Sequence, residues 1–535
     1  MKALALPWLR RALRVAPVFL AFTFSARAVE PDIGSDAQRA KGKELYEKFC
    51  SQCHGMQGDG KGFAQLTLKP WPRDFTRGMY KYKSTVGDRL PTTEDIMRVI
   101  RRGNPYTGMP GWPNFTDEEV RSLAYHVKTF SEYFKDAELH KDPSSAPIPE
   151  NFPAQAPAFS KESAARGRKL FAENKCVNCH GESGRGAGSA AHEQKDMDGR
   201  PIQPRDLTKR WTFRNGHSRL DIFRTLTTGI APMPNFKELP EADRWALVDF
   251  VQSLGQGDDP DYKSVIMAAK VEGDLDLEKG GALFASAEPA NIAAFGQVTQ
   301  PGRGFYASCN GAEVRAVYNR QEIAFEIAWH DMKAETESKN APDIALPPYN
   351  YESPEEEQAG DDEFCDAVAV QIPSAKPAGA VKPYFIFGDS KLAVDLWFAP
   401  LSSTEPGHAK LYVAKGAKSV SLKEERGQEV AFAVRREEGQ WVAYFKRALA
   451  APGAMVFKEN EFAPVAFSFW DGFFKERGNK RALTSWVAVY LAAPVPRELI
   501  ASRMLGSGLI VFAGLLFIVS ICRLQRSRSS STHLS

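Results

Sequence analysis

The sequence predicts a multidomain chain: two small all-α domains built on one plan, then a mainly-β sandwich, then one C-terminal transmembrane helix. Three observations carry this prediction. The pattern Cys-x-x-Cys-His occurs twice, as Cys50-Ser51-Gln52-Cys53-His54 and Cys176-Val177-Asn178-Cys179-His180, and each copy opens the same series of downstream landmarks. From about residue 263 the chain changes to short alternating runs separated by turn residues. Close to the end, residues 505–522 form an apolar run with arginines on both sides. With 535 residues there is room for about three or four domains. A hydrophobic fraction of 43% and a charged fraction of 25% are those of ordinary globular domains, and a formal net charge of +3 gives no case for a nucleic-acid partner.

Residues 1–28 read as a secretory signal. Lys2, Arg10, Arg11 and Arg14 form a basic region, an apolar stretch follows from Val15, and Ala26-Arg27-Ala28 offers small residues around a cleavage point. The apolar stretch is short and contains Pro17, which argues against a membrane anchor here.

The first all-α domain is expected over residues 36–135. A helical pattern, Ala37 to Phe49, leads into Cys50, Cys53 and His54. Two cysteines two residues apart with a histidine immediately after are the attachment signature of a c-type haem. The thiols add across the two vinyl groups, and the histidine then lies under the iron. A zinc or redox Cys-x-x-Cys is the other reading of such a spacing, but it leaves the repeated landmarks unexplained. Glycines at 55, 58, 60 and 62 let the chain turn round a porphyrin edge. After Pro72-Arg73-Asp74-Phe75 a second helix is capped by Thr92 and Thr93, with Glu94 and Asp95 at the positive end of its dipole. It stops at Gly103, the loop Gly108-Met109-Pro110 follows, and a last helix runs from Asp117 to Phe130.

The second domain, residues 161–256, repeats this plan after a proline-, alanine- and serine-rich linker over 136–160. Its opening helix is Ala164 to Asn174, Pro204-Arg205-Asp206-Leu207 answers Pro72 to Phe75, and Ser218 to Thr227 is the middle helix. Pro232-Met233-Pro234 is the methionine loop, and Ala242 to Leu254 closes the domain. The separations nearly agree: 59 residues from Cys50 to Met109 and 57 from Cys176 to Met233. A methionine more often fills a core gap than binds a metal. Matched distance and flanking proline nevertheless single out Met109 and Met233. His126, His192 and His217 fit no matched position.

Both domains resemble class I cytochromes c. The resemblance implies two covalently bound haem c groups, on Cys50 and Cys53 and on Cys176 and Cys179. It makes His54 and His180 proximal ligands of the iron, and Met109 and Met233 distal ones. Such six-coordinate iron has a raised potential suited to passing electrons.

Residues 263–493 are expected to form the β-sandwich, with strands at Glu313 to Tyr318, Glu322 to Trp329, Ala367 to Ile372, Ala393 to Phe398, Val430 to Val434, Gln440 to Phe445, Val465 to Trp470 and Ser485 to Leu491. An acidic stretch, Ala334 to Asp362, reads as a surface insertion. Cys309 and Cys365 are expected to pair as a disulfide outside the cytoplasm.

The runs Ile327-Ala328-Trp329-His330-Asp331, Phe364 to Pro373, Pro383 to Asp389, Trp441 to Arg447 and Phe469-Trp470-Asp471-Gly472 resemble the haem-binding γ subunit of ethylbenzene dehydrogenase. Its relatives serve periplasmic molybdenum enzymes of the type II dimethyl sulfoxide reductase family. This resemblance implies a partner of that kind, docked through an iron-sulfur subunit, and a haem b held by a methionine and a lysine. The methionine stands just before a Gly-Asp pair, where this sequence reads Ile386-Phe387-Gly388-Asp389. The haem b is therefore expected to be lost or differently held. Met267, Met332 and Met455 lie elsewhere, and Lys415 and Lys418 have no assigned role.

Residues 505–522, about 27 Å long as a helix, are expected to cross the bilayer. Arg523, Arg526 and Arg528 would place the tail, 523–535, in the cytoplasm, and all that precedes the span in the periplasm. The expected function is that of an inner-membrane electron-transfer subunit that is not itself catalytic, serving a periplasmic oxidoreductase and other respiratory carriers. An enzyme with its own substrate site would need an open position on iron, which the methionine loops oppose.

Overall fold

Three N-terminal boxes of capping residues set the helices of the first domain. In the computed structural model, Ser35, Thr92 and Thr116 each accept the backbone N–H three residues on, and the side chains of Gln38, Asp95 and Glu119 accept in return. The structure describes residues 31–493, apart from 69, 143–144, 198, 256, 297–307, 347–361, 378–380 and 424–428, together with residues 509–521. The expected signal lies outside these residues.

The first domain comprises α1 (Asp36–Phe49), α2 (Ser51–His54), α3 (Thr93–Arg102) and α4 (Asp117–Lys128). Leu45, Tyr46, Ile96, Met97, Ile100, Val120 and Leu123 form its core. The connection to the second domain opens with α5 (Ala137–Lys141), then runs irregularly and is pinned where Glu150 N–H donates to Ser84 O at 2.9 Å. The second domain comprises α6 (Lys161–Glu173), α7 (Val177–His180), α8 (Arg219–Thr228) and α9 (Glu241–Ser253). Helices α1 and α4 cross at Gly42, as α6 and α9 cross at Gly167. A Cβ at these glycines would lie 2.0 Å from Ser122 O and 1.9 Å from Ala246 O, so only glycine admits the approach.

The third domain is a large mixed sheet. In chain order its strands are β1 (Val265–Lys270), β2 (Ala290–Ala293), β3 (Phe295–Gly296), β4 (Gly311–Tyr318), β5 (Glu322–His330), β6 (Ala367–Pro373), β7 (Val394–Pro400), β8 (Gly407–His408), β9 (Lys410–Ala414), β10 (Val420–Leu422), β11 (Ala431–Glu437), β12 (Gln440–Ala448), β13 (Phe462–Trp470), β14 (Ala482–Leu483) and β15 (Val487–Leu491). Twelve of them pair in the order β10-β9-β7-β6-β13-β15-β1-β4-β5-β12-β11-β8, while β2 pairs with β4, and β14 with β13 and β3. Most pairs are antiparallel, but β1 runs parallel to both β15 and β4. The expected sandwich is thus one ladder that doubles back. Phe325 of β5 meets Trp397 of β7 with ring centroids 6.2 Å apart, and Trp329 meets Phe469 of β13 at 5.2 Å.

One expectation changes. Cys309 and Cys365 are free and buried rather than paired. The first precedes β4 and donates its thiol to Gly311 O at 3.4 Å, whereas the second precedes β6, with three strands between along the ladder. Of the expected membrane span, only residues 509–521 are described. They are helical, with Leu509, Ile510, Phe512 and Phe517 exposed. Among the described residues no helix is long and apolar enough to cross a membrane.

Candidate haem sites

The Cys-x-x-Cys-His pentapeptide does its work by being helical. His54 N–H donates to Cys50 O at 3.0 Å and His180 N–H to Cys176 O at 2.9 Å. One turn of helix therefore brings both cysteines and the histidine, three and four residues on, to one face. Each imidazole is then fixed by the matched Pro-Arg-Asp segment. His54 Nδ1 bonds to Arg73 O and His180 Nδ1 to Arg205 O, both at 3.0 Å. A carbonyl only accepts, so Nδ1 carries the hydrogen and the Nε2 lone pair is left for iron.

The segments themselves are held alike. Phe75 N–H donates to Gly58 O and Leu207 N–H to Gly184 O, both at 2.7 Å. Asp74 accepts the N–H of Thr76, as Asp206 accepts that of Thr208. Burial pushes the His54 imidazole down to about 4 and lowers His180 as well, which keeps both neutral as ligation requires. Burial also pushes Cys50 up to about 12 and Cys176 to about 11.

Met109 and Met233 follow α3 and α8 on loops started by Gly103 and Gly229, whose φ of 69° and 73° favour glycine. Asn104 N–H donates to Met109 O at 3.1 Å, and Ile230 N–H to Met233 O at 3.1 Å. Cys50, Cys53, His54 and Met109 line one cavity of about 1080 Å³ together with Cys176, Cys179, His180 and Met233. The expected haem residues of both domains thus meet in a shared space. His126 packs edge-on against Tyr46 instead, and His192 and His217 are exposed.

The remaining lining suits haem. Arg73, Arg205, Arg214, Lys81 and Lys209 bring positive charge to the wall, where propionate carboxylates need partners. Arg214 Nε and Asn104 Oδ1 are buried there without a partner among the described residues. Burial lowers the Arg205 guanidinium to about 10. These cations were not singled out from the sequence, although Arg73 and Arg205 stand in the matched segments.

Nor was the contribution of the third domain. His330 Nε2 bonds to Arg185 O, Ser183 Oγ donates to Glu438 O at 3.3 Å, and Gly439 sits against Ala187. His330, Phe473, Glu476 and Lys480 line the same cavity. Beside this wall Asp331, Asp366 and Asp471 place carboxylate oxygens within 4.8 Å of one another. Arg436 donates to Asp331, and Trp441 Nε1 and Gly472 N–H donate to Asp366.

Residues 37–127 match the family of cytochrome c oxidase, cbb3-type, subunit III, and residues 164–255 match the cytochrome c family. Both N-terminal domains are cytochrome c domains. Their presence implies covalently bound haem c in each, and the chain is similar to subunits of cbb3-type cytochrome c oxidases. It is 26% identical over 225 residues to the cbb3-type cytochrome c oxidase subunit FixP of Bradyrhizobium diazoefficiens, covering 41% of this chain and 62% of that protein. It is 26% identical over 227 residues to subunit CcoP of an Azospirillum species, with the same coverages. The chain thus spans less than two thirds of the length of these relatives. A Kuenenia stuttgartiensis reducing HAO-like protein complex contains a chain 36% identical, wholly covered by 43% of this one, with a TM-score of 0.38.

The residues at the site implied for haem b do not fit that group. Phe387, where the methionine would stand, is fully buried against Phe398, Tyr412 and Trp470, and the Arg481 guanidinium lies 3.6 Å from its ring centroid. Met332 and Met455 are buried, Met267 faces solvent, and Lys415 and Lys418 are exposed around the turn between β9 and β10.

Proposed function

We propose that this chain is a membrane-anchored periplasmic dihaem cytochrome that passes electrons between a periplasmic oxidoreductase and the respiratory chain. The observation that carries this reading is the single cavity onto which both Cys-x-x-Cys-His turns and both methionine loops open. Cys50 and Cys53, and Cys176 and Cys179, would hold the porphyrins. His54 and His180 would be the proximal ligands and Met109 and Met233 the distal ones. Ligation of this kind leaves no open position for a substrate and supplies one-electron transfer at raised potential.

The third domain serves as a docking module, and the packing of Phe387 favours this over a third haem. By resemblance its partner is a molybdenum oxidoreductase or the iron-sulfur subunit of one. The similarity to FixP and CcoP supports exchange with other respiratory carriers. The signal over 1–28 exports the chain, and residues 505–522 anchor it in the inner membrane.

The test is a haem count on protein matured in a host competent for c-type haem attachment. A pyridine haemochrome assay with acid-acetone extraction should find two covalent haems and none extractable. Fewer than two in matured protein overturns the reading, and a third, extractable haem restores the haem b. A spectral shift with carbon monoxide on native reduced protein would favour an enzyme. For the anchor, full-length chain should sediment with membranes and chain ending at residue 493 should not; equal distribution refutes it.

A further inference from the structure

Around their histidines the two cytochrome domains repeat each other closely, so the departures are informative. In the first domain the loop after the haem motif faces solvent, with Met56 54% and Phe63 91% exposed. In the second, the equivalent loop is covered by the β domain through the contacts of Ser183, Arg185 and Ala187. The cover reaches the cavity itself, through His330 at the end of β5 and residues 473–480 after β13.

That wall is rigid and charged. Trp470 Nε1 donates to Gly478 O at 2.9 Å, Asn340 Nδ2 donates to Glu476 O at 2.9 Å, and Glu476 accepts the N–H of Asp471 at 3.0 Å. Glu476 and Lys480 are only 6% and 5% exposed, and each acts on the other electrostatically. The half-buried Lys475 lines the same wall, and Lys209 and Asp206 face it from the second cytochrome domain.

We propose that the β domain forms one wall of the second haem pocket, and that Lys480 and Glu476 on this wall set the potential of that haem apart from the first. The inference rests on the dihaem reading. Reduction removes one positive charge from the iron, so a nearby ammonium favours the reduced state and a carboxylate the oxidised one. Because Glu476 and Lys480 are themselves almost fully buried, these effects are weakly screened. Both residues are positioning residues, and their removal acts with opposite signs on one haem.

The experiment is a potentiometric titration of the full-length holoprotein, with Met109→His and Met233→His assigning each wave by changing its own iron's ligand. It is run at about pH 8.5, because burial pushes Glu476 up to about 7. Lys480→Met should lower the second wave, Glu476→Gln should raise it, and Lys480→Arg should leave it in place, with the first wave unmoved throughout. An unmoved second wave, shifts of the same sign, or equal shifts in both waves overturn the proposal. The covalent haem count is read beside each titration. A count below two in the unsubstituted protein sinks the dihaem reading instead. Should Lys480→Met lose haem, Glu476→Gln decides alone: a raised second wave is expected, and an unmoved or lowered one overturns the proposal.

Discussion

A missing Cβ decides how closely the principal helices of each cytochrome domain approach. At Gly42 and Gly167 any side chain would meet a backbone carbonyl, of Ser122 and Ala246 respectively, well inside contact distance. Gly167→Ala is therefore expected to destabilise the holoprotein by about 1–3 kcal/mol. Gly407→Ala, with open space around its Cβ, should stay within about 0.5 kcal/mol. Chemical denaturation, followed at the haem band for Gly167→Ala and by tryptophan fluorescence of the β domain for Gly407→Ala, checks both. These glycines stand mid-helix, where each is about 1 kcal/mol worse than alanine, and that anomaly was the signal available in the sequence. Cys50, Cys53 and His54 were legible because covalent attachment demands a contiguous pentapeptide, and Met109 and Met233 because a repeated domain repeats its spacing. Glu476, Lys480 and His330 were not, since they reach the cavity from a domain with no repeat to compare.

The ends of β5 and β13 and the start of β6 gather Asp331, Asp471 and Asp366, with Glu335 and Glu476 beside them and Arg436 as a cation paired to Asp331. Burial first, and then neighbouring carboxylates, push Asp331 and Asp471 well up. Burial pushes Asp366 from its ordinary 3.8 up to about 7. A carboxyl raised in the folded state is protonated there while its unfolded counterpart is ionised. Its contribution is therefore complete below the unfolded value and is lost as pH rises through the folded one. The β domain should unfold at a higher temperature at about pH 5 than at about pH 8. Asp471→Asn, which keeps the oxygen that accepts Phe474 N–H, should raise the Tm at the higher pH and flatten the dependence. A Tm that rises between the two pH values in calorimetry would contradict this. The strands around the cluster were legible from alternation, to within a residue or two at most ends. The cluster itself was not, because its members lie far apart in sequence and meet only when the ladder doubles back.

At the scale of the whole molecule, the connection over 136–160 suggested a tether, but the cytochrome domains share a packed seam. Arg102 donates to Arg214 O, Arg214 donates to Tyr106 O at 3.4 Å, and Lys81 pairs with Asp196 at 3.7 Å. The Arg200 guanidinium lies 3.9 Å from the Trp71 ring centroid, across the same seam. A half-buried pair of this kind contributes about 0.5–2 kcal/mol, so a double-mutant cycle with Trp71→Ala and Arg200→Ala should show coupling of that size. Additivity within about 0.3 kcal/mol would mean that the contact does not hold the seam. The seam also bears on electron flow. Because it fixes both haem-binding turns on one cavity, an electron delivered to one cytochrome domain needs no encounter between chains to reach the other. After rapid partial reduction, redistribution between the two haem bands should proceed at a rate unchanged by tenfold dilution. A rate that falls in proportion to concentration would show exchange between molecules and separate the cavity from the electron path.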